Sequence, residues 1–266
     1  MPDGEDTTTD GVRSSLVGSV QMIELNRPAS RNALTKIDRL ALLGALTEAD
    51  LDPVVKVIVV RGAGGTFCAG GDIREFGTTT TKSAAMEYAK SYAQPVFSRM
   101  RALSTPTVAV VEGVAAGAGM YLALSCDIVI AEESAVFYPA HLDIGVVPDW
   151  GAIWLLPRLV GMARAKTLAL GRKSLDAMTA AQWGLVAECV PRAQLESVTN
   201  LYVDRMRSFP EHAVALTRQG LDASLDTDLA AFLEWESEVI ATTMSHPEHL
   251  RRVQKFLETK PNQPND

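Results

Sequence analysis

Apolar and polar positions alternate loosely from Leu16 to Leu25, and the alternation stops at Asn26-Arg27-Pro28. Alternation of period two predicts a strand, and the Asn/Pro cluster behind it predicts a turn. Thr35-Lys36-Ile37-Asp38 has the pattern of a capping box and opens a helix to about Ala49. Ile37, Leu40, Ala41 and Gly44 recur at helical spacing and mark its expected buried face. Val54–Val60 is nearly all apolar, as suits a strand covered on both faces. Two more such strands are expected over Pro106–Val111 and Asp127–Ala131. Helices are expected between them over Ala84–Leu103, with a kink at Pro95, and over Gly117–Leu124. Strand and helix in alternation predict an α/β fold with parallel pairing.

Elsewhere the pattern is weaker. The polar run over residues 77–83 predicts a mobile loop. Residues 136–161 read as loop and then helix from Trp150 to Leu159. Thr179-Ala180-Ala181-Gln182 is a second capping box, and Gly184 ends its short helix. Beyond residue 193 there are three helical segments and little strand signal. The expected organisation is a loose acidic tail over 1–15, an α/β core over 16–192 and a helical region over 193–266.

Composition narrows the partners. The chain has 266 residues, 47% of them hydrophobic, with a net charge of −7. One large domain, or one with an appendage, fits that length. An acidic balance argues against nucleic acid as the main partner, yet one anionic small molecule needs only a few local donors. Cys68, Cys126 and Cys189 show no metal-ligand spacing. They read as free thiols of a reducing compartment, with no metal expected. No apolar run reaches the roughly 18–20 residues of a membrane span, and the N-terminus does not read as a signal peptide. A cytoplasmic location with no membrane partner is expected.

Two glycine-rich stretches carry the candidate chemistry: Phe67-Cys68-Ala69-Gly70-Gly71-Asp72 and Gly113-Val114-Ala115-Ala116-Gly117-Ala118-Gly119. Each follows an apolar strand and precedes a helix. Small residues allow close approach to the backbone, and a helix start leaves N–H groups free. Two such stretches can aim two donors at one oxygen, forming an oxyanion hole.

In order and spacing these segments resemble the enoyl-CoA hydratase/isomerase (crotonase) family. Leu25–Leu34 and Gly145–Gly161 add to the resemblance, which spans about residues 16–260. It implies a β-α spiral core with a C-terminal helical trimerisation region, and a homotrimer or dimer of trimers. It implies an acyl-CoA substrate, with coenzyme A part of the substrate and no separate cofactor. The implied oxyanion donors are the N–H groups of Gly71 and Ala118. The implied CoA contacts are Arg27, Arg31, Cys68, Ala69, Gly71, Asp72, Ile73 and Gly117, with Phe256 and Lys260 reaching from a neighbouring chain.

The hole names a ligand class and leaves the reaction to nearby side chains. Hydratases of this family use two glutamates, and their positions here hold Tyr121 and His141. Paired-carboxylate hydration needs one group to activate water and one to deliver a proton, and tyrosine, with a pKa near 10, is a poor base. A carboxylate does stand further on, at Asp149 in Val146-Val147-Pro148-Asp149-Trp150-Gly151. An Asp here resembles the double-bond isomerases, including the branch acting on ring-epoxidised phenylacetyl-CoA. One base suffices for isomerisation. The alternative role for Asp149 is the cap of a helix beginning near Trp150. His141 is either a base or a structural histidine, which Asp143 could orient. Tyr121, Tyr138 and Trp150 are expected in the acyl pocket. His212, His246 and His249 read as surface residues. The favoured function is an acyl-CoA double-bond isomerase. A hydratase with altered residues, an aryl-CoA dehalogenase or hydrolase, and a non-catalytic acyl-CoA binder are the alternatives.

Overall fold

Gly18 sits in the left-handed region at φ +64° and turns the chain back on itself. The first alternating stretch is therefore a hairpin of β1 (Val12–Val17) and β2 (Val20–Leu25), where the pattern predicted one strand from Leu16. The computed structural model describes residues 11–77, 81–171 and 174–259. Most of the expected 1–15 tail, and the centre of the expected 77–83 loop, lie outside the described residues.

Helix α1 (Lys36–Leu51) begins as the sequence dictates. Thr35 Oγ1 accepts from the Asp38 N–H at 3.2 Å, and Asp38 Oδ2 accepts from the Thr35 N–H at 2.8 Å. Its buried face differs from the predicted one. Arg39, Leu42, Ala45, Leu46 and Ala49 face inward, while Ile37 is 69% and Leu40 50% exposed. The true core stripe carries a charged residue, so apolarity alone selected the neighbouring stripe.

The central sheet has the order β1-β2-β3-β4-β6-β9. It is parallel except at the β1–β2 hairpin, through β3 (Val57–Gly62), β4 (Thr107–Val111), β6 (Ile128–Glu132) and β9 (Glu188–Val190). A second sheet joins β5 (Val114–Ala116), β7 (Val136–Tyr138) and β8 (Leu175–Asp176). Strands β3 and β4 are buried on both faces, in agreement with their unbroken apolar runs.

Connecting segments adjust the predicted helices. After α2 (Ile73–Phe76), the segment read as one helix is α3 (Lys82–Tyr88), a wide π-helical turn over 89–93, and α4 (Gln94–Ala102). Pro95 lies in the first turn of α4, directly after the π-helical turn that runs into it through helical backbone at Ala93 and Gln94. Helix α5 (Ala118–Leu124) is wholly buried, and α6 (Ala152–Leu170) is broken at Gly161 (φ +74°). Helix α7 (Ala177–Gln182) is capped by Asp176, whose Oδ1 accepts from the Thr179 N–H at 2.6 Å. Thr179 is thus a capped residue and not the predicted cap.

Helix α8 (Arg192–Arg207) packs on the central sheet through Leu195 and Val203. The first compact unit accordingly runs to Arg207, fifteen residues beyond the expected core end at 192. The second unit begins at Ser208 and holds α9 (Glu211–Ala223), α10 (Leu229–Ser245) and α11 (Pro247–Thr259). Among the described residues the C-terminal region has four helices where three were expected. Among the described residues, no helix is long and apolar enough to cross a membrane.

Candidate active site

The two glycine stretches meet. The Cys68 N–H donates to the Val114 carbonyl at 2.9 Å, and the Ala116 N–H to the Cys68 carbonyl at 2.8 Å. Gly70 has φ +101°, and a Cβ there would lie 2.8 Å from the Ala116 carbonyl oxygen and 3.5 Å from the Ala118 nitrogen. A Cβ on Gly117 (φ +50°) would lie 4.0 Å from Gly70 Cα. The Leu34 bridge uses the Gly70 carbonyl and the Asp72 N–H, which leaves the Gly71 N–H outside that ladder. Ala118 opens α5, so its N–H has no acceptor within the helix. Two backbone donors thus flank one junction. Such donors suit a developing negative charge, because they are held in place before the reaction.

His141 and Asp149 adjoin this junction. A Cβ on Gly117 would lie 3.7 Å from His141 Cε1. His141 Nε2 stands 2.8 Å from Asp149 Oδ1; the His141 side chain is 8% exposed and that of Asp149 36%. The Asp149 side chain does not cap α6, whose N-cap is Gly151 in the left-handed region at φ +66°. It bonds His141 instead. Asp143 does not orient the imidazole; its Oδ2 accepts from the Tyr138 hydroxyl. With Asp149 ionised, the 2.8 Å bond places the imidazole proton on Nε2 and leaves Nδ1 as the other hydrogen-bonding atom. That Nδ1 is buried without a partner, and so is the Tyr121 hydroxyl. The two rings are 5.6 Å apart. Burial, reinforced by the negative charge of Asp149, pushes the Tyr121 hydroxyl above its ordinary pKa, so it stays protonated and cannot act as a base.

The other predicted residues divide. Cys68 is fully buried, with its thiol pushed up to about 12 by desolvation. Ala69 is part-buried, and Ile73 is exposed at the start of α2. Asp72 is buried and bonds Arg74 at 2.5 Å and Arg27 at 3.3 Å. The Arg74 hydrogen bonds hold its carboxyl well below the usual carboxylate range. Arg27 also reaches Asp38 at 3.3 Å and the Ala33 carbonyl at 2.8 Å, so two carboxylates already face this cation. Arg31 is exposed, at φ +51°. Phe256 is exposed in α11 of the second unit, and Lys260 lies outside the described residues. In that unit His212, His246 and Glu248 each place one ligand-type atom within 4.8 Å of the others. His246 is exposed, as expected of a surface residue, and His212 is part-buried. The imidazole rings of His212 and His246 are 3.9 Å apart, and Glu248 pairs with Arg252 at 2.9 Å.

Sequence reasoning missed Arg39 and Tyr88. Arg39 is 1% exposed, and its Nη1 donates to the Tyr88 hydroxyl. A Cβ on Gly71 would lie 2.5 Å from Arg39 Nη2. The available signal was the spacing Arg39, Leu42, Leu46, Ala49, which puts an arginine on the core stripe of α1.

Comparison with known proteins agrees with this architecture. Residues 16–265 match the family model described as enoyl-CoA hydratase/isomerase. The chain is 34% identical over 250 residues to a protein of Rhodobacter capsulatus named "Probable enoyl-CoA hydratase", covering 94% of this chain and 96% of the relative. It is 31% identical to the 1,2-epoxyphenylacetyl-CoA isomerase of Escherichia coli K12, covering 92% and 95%. A Thermobifida fusca YX protein solved in complex with acetoacetyl-CoA superposes with a TM-score of 0.82 at 30% identity, covering 89% of this chain and 95% of that one.

Proposed function

The chain belongs to the enoyl-CoA hydratase/isomerase family, and we propose that within it this protein is a double-bond isomerase acting on an acyl-CoA thioester. The observation that carries this reading is the His141–Asp149 pair, 2.8 Å apart, next to the junction of the glycine stretches. The Gly71 and Ala118 N–H groups hold the thioester oxygen. Asp149 takes a proton from the acyl chain, and the electrons left behind move onto that oxygen as a dienolate. Asp149 then returns the proton two bonds along. His141 grips Oδ1 and orients the carboxylate, while Oδ2 does the proton transfer. The glycine loop 68–73 and exposed Arg31 bind the CoA portion, and Tyr121, Tyr138 and Trp150 line the acyl portion. The name of the E. coli relative supports an isomerase, and the T. fusca complex supports a CoA thioester ligand. The active form is a homotrimer or dimer of trimers with no separate cofactor.

The test is Asp149→Asn, assayed for conversion of a 3-enoyl-CoA to the 2-enoyl isomer. Loss of general-base catalysis predicts a fall of about a hundredfold or more in kcat with thioester binding kept. Full activity in this variant overturns the reading. The Rhodobacter relative's name favours a second reading, in which the same dyad activates water for hydration of a 2-enoyl-CoA. Formation of 3-hydroxyacyl-CoA by the wild type, with no double-bond shift, would select it.

A further inference from the structure

Four buried side-chain atoms near the candidate site, on Arg39, Tyr121, His141 and Trp150, have no hydrogen-bond partner. Two of these four can only donate: Arg39 Nε–H and Trp150 Nε1–H. Arg39 and Trp150 are 1% and 2% exposed, so bulk water does not serve them. The guanidinium carbon stands 4.8 Å from the Tyr88 ring centroid and 6.0 Å from that of Trp150. Aromatic faces of this kind stabilise a cation but do not neutralise it.

Other sheltered arginines in the first unit are neutralised. Arg27 faces Asp38 and Asp72, and Arg99 bonds Asp50 at 2.7 Å. Arg39 is more buried than either, and no carboxylate among the described residues pairs with it. A buried charge without a counter-ion is costly unless some anion completes it. Its position says which anion. Nη2 abuts Gly71, one of the two proposed oxyanion donors, and Trp150 follows Asp149 in the chain. The cation therefore stands beside the place where the acyl group reacts.

We propose that Arg39, with Trp150 Nε1 beside it, binds a carboxylate carried by the acyl group, so that the substrate is an ω-carboxyacyl-CoA. This inference rests on the acyl-CoA reading above. The fold also offers a competing course for the acyl chain. An apolar groove of about 320 Å³ runs from Tyr121 past Leu156 to Met162 and would favour a methyl-ended chain.

Equilibrium binding of saturated thioesters separates the two without requiring turnover. Succinyl-, glutaryl-, adipoyl- and pimeloyl-CoA are titrated against butyryl-, pentanoyl-, hexanoyl- and heptanoyl-CoA by calorimetry. A charge-assisted hydrogen bond predicts that at least one carboxylated ligand binds the wild type about tenfold or more tightly than its methyl-ended counterpart. Arg39→Met should remove that preference with little change in the methyl-ended series, and Arg39→Lys should keep part of it. Should Arg39→Met not fold, the wild-type preference alone decides. Equal affinity for both series, or preference for the methyl-ended one, overturns the inference and leaves the isomerase reading intact. An equal loss for both series in Arg39→Met also overturns it and assigns Arg39 to the thioester oxygen or to packing. Binding of neither series overturns both readings.

Discussion

The Tyr121 hydroxyl is buried without a hydrogen-bond partner, against the usual rule for buried polar groups. Removing a hydroxyl that has no partner removes a desolvation cost and no bond. Tyr121→Phe should therefore melt at or above the wild-type temperature, and its alkaline pH–rate profile should match the wild type, because burial keeps this phenol protonated. Scanning calorimetry checks the first outcome. A drop equivalent to more than about 1 kcal/mol would mean that the hydroxyl does hold a partner. At this scale the sequence was informative about residue types and poor about pairings. Asp149 and His141 were singled out separately by position, yet nothing in a spacing of eight residues across an irregular loop says that they touch. Asp143, two residues from His141, was the nearer candidate in sequence and proved to bond Tyr138. Arg39 escaped notice because an arginine in a helix is ordinarily read as solvated.

Elements show where local chemistry was legible and where tertiary packing decided. Thr35 and Asp38 specify the start of α1 by themselves, since a capping box needs only residues three apart. The face that α1 buries depends on what lies opposite, and the periodicity of small and apolar residues missed it. Gly18 and Gly151 are similar cases. Each turns the chain at positive φ, and only the fold shows that Gly151 rather than Asp149 caps α6. Gly151 also has no room: a Cβ there would lie 2.2 Å from the Phe97 ring, whereas one on Gly145 (φ +72°) would meet nothing within 4 Å. Gly145→Ala should thus cost only the left-handed backbone penalty, about 1–2 kcal/mol. Gly151→Ala should cost more, and it should also lower kcat by displacing Asp149 two residues upstream. Urea unfolding of both variants gives the comparison. Equal destabilisation would show that Phe97 yields without cost.

For the whole molecule, the order of buried strands and intervening helices was enough to read a parallel α/β core. The boundary between units was not legible. Helix α8 buries Leu195, Thr199 and Val203, with Val198, Tyr202 and Met206 packed beside them, a stripe that reads like the inner face of any amphipathic helix until the sheet beneath it is seen. The second unit poses the converse problem. Its helices expose Leu229, Ile240, Met244, Leu250 and Leu257, each more than half accessible. Apolar area of this extent is normally covered by a partner. A second and third copy of the chain are the partners that the proposed assembly supplies. On α11, Leu250, Val253 and Leu257 recur at helical spacing and share one face. Replacing Leu250 and Leu257 together by glutamate should reduce the mass measured by light scattering from that of a trimer, or a multiple of it, to that of one chain. The far-ultraviolet dichroism of the α/β core should survive, because the first unit buries its own sheet between α8 and the α1-side core. An unchanged mass would place the assembly surface elsewhere on the chain, while collapse of the dichroism would mean that the α/β unit depends on assembly for its stability.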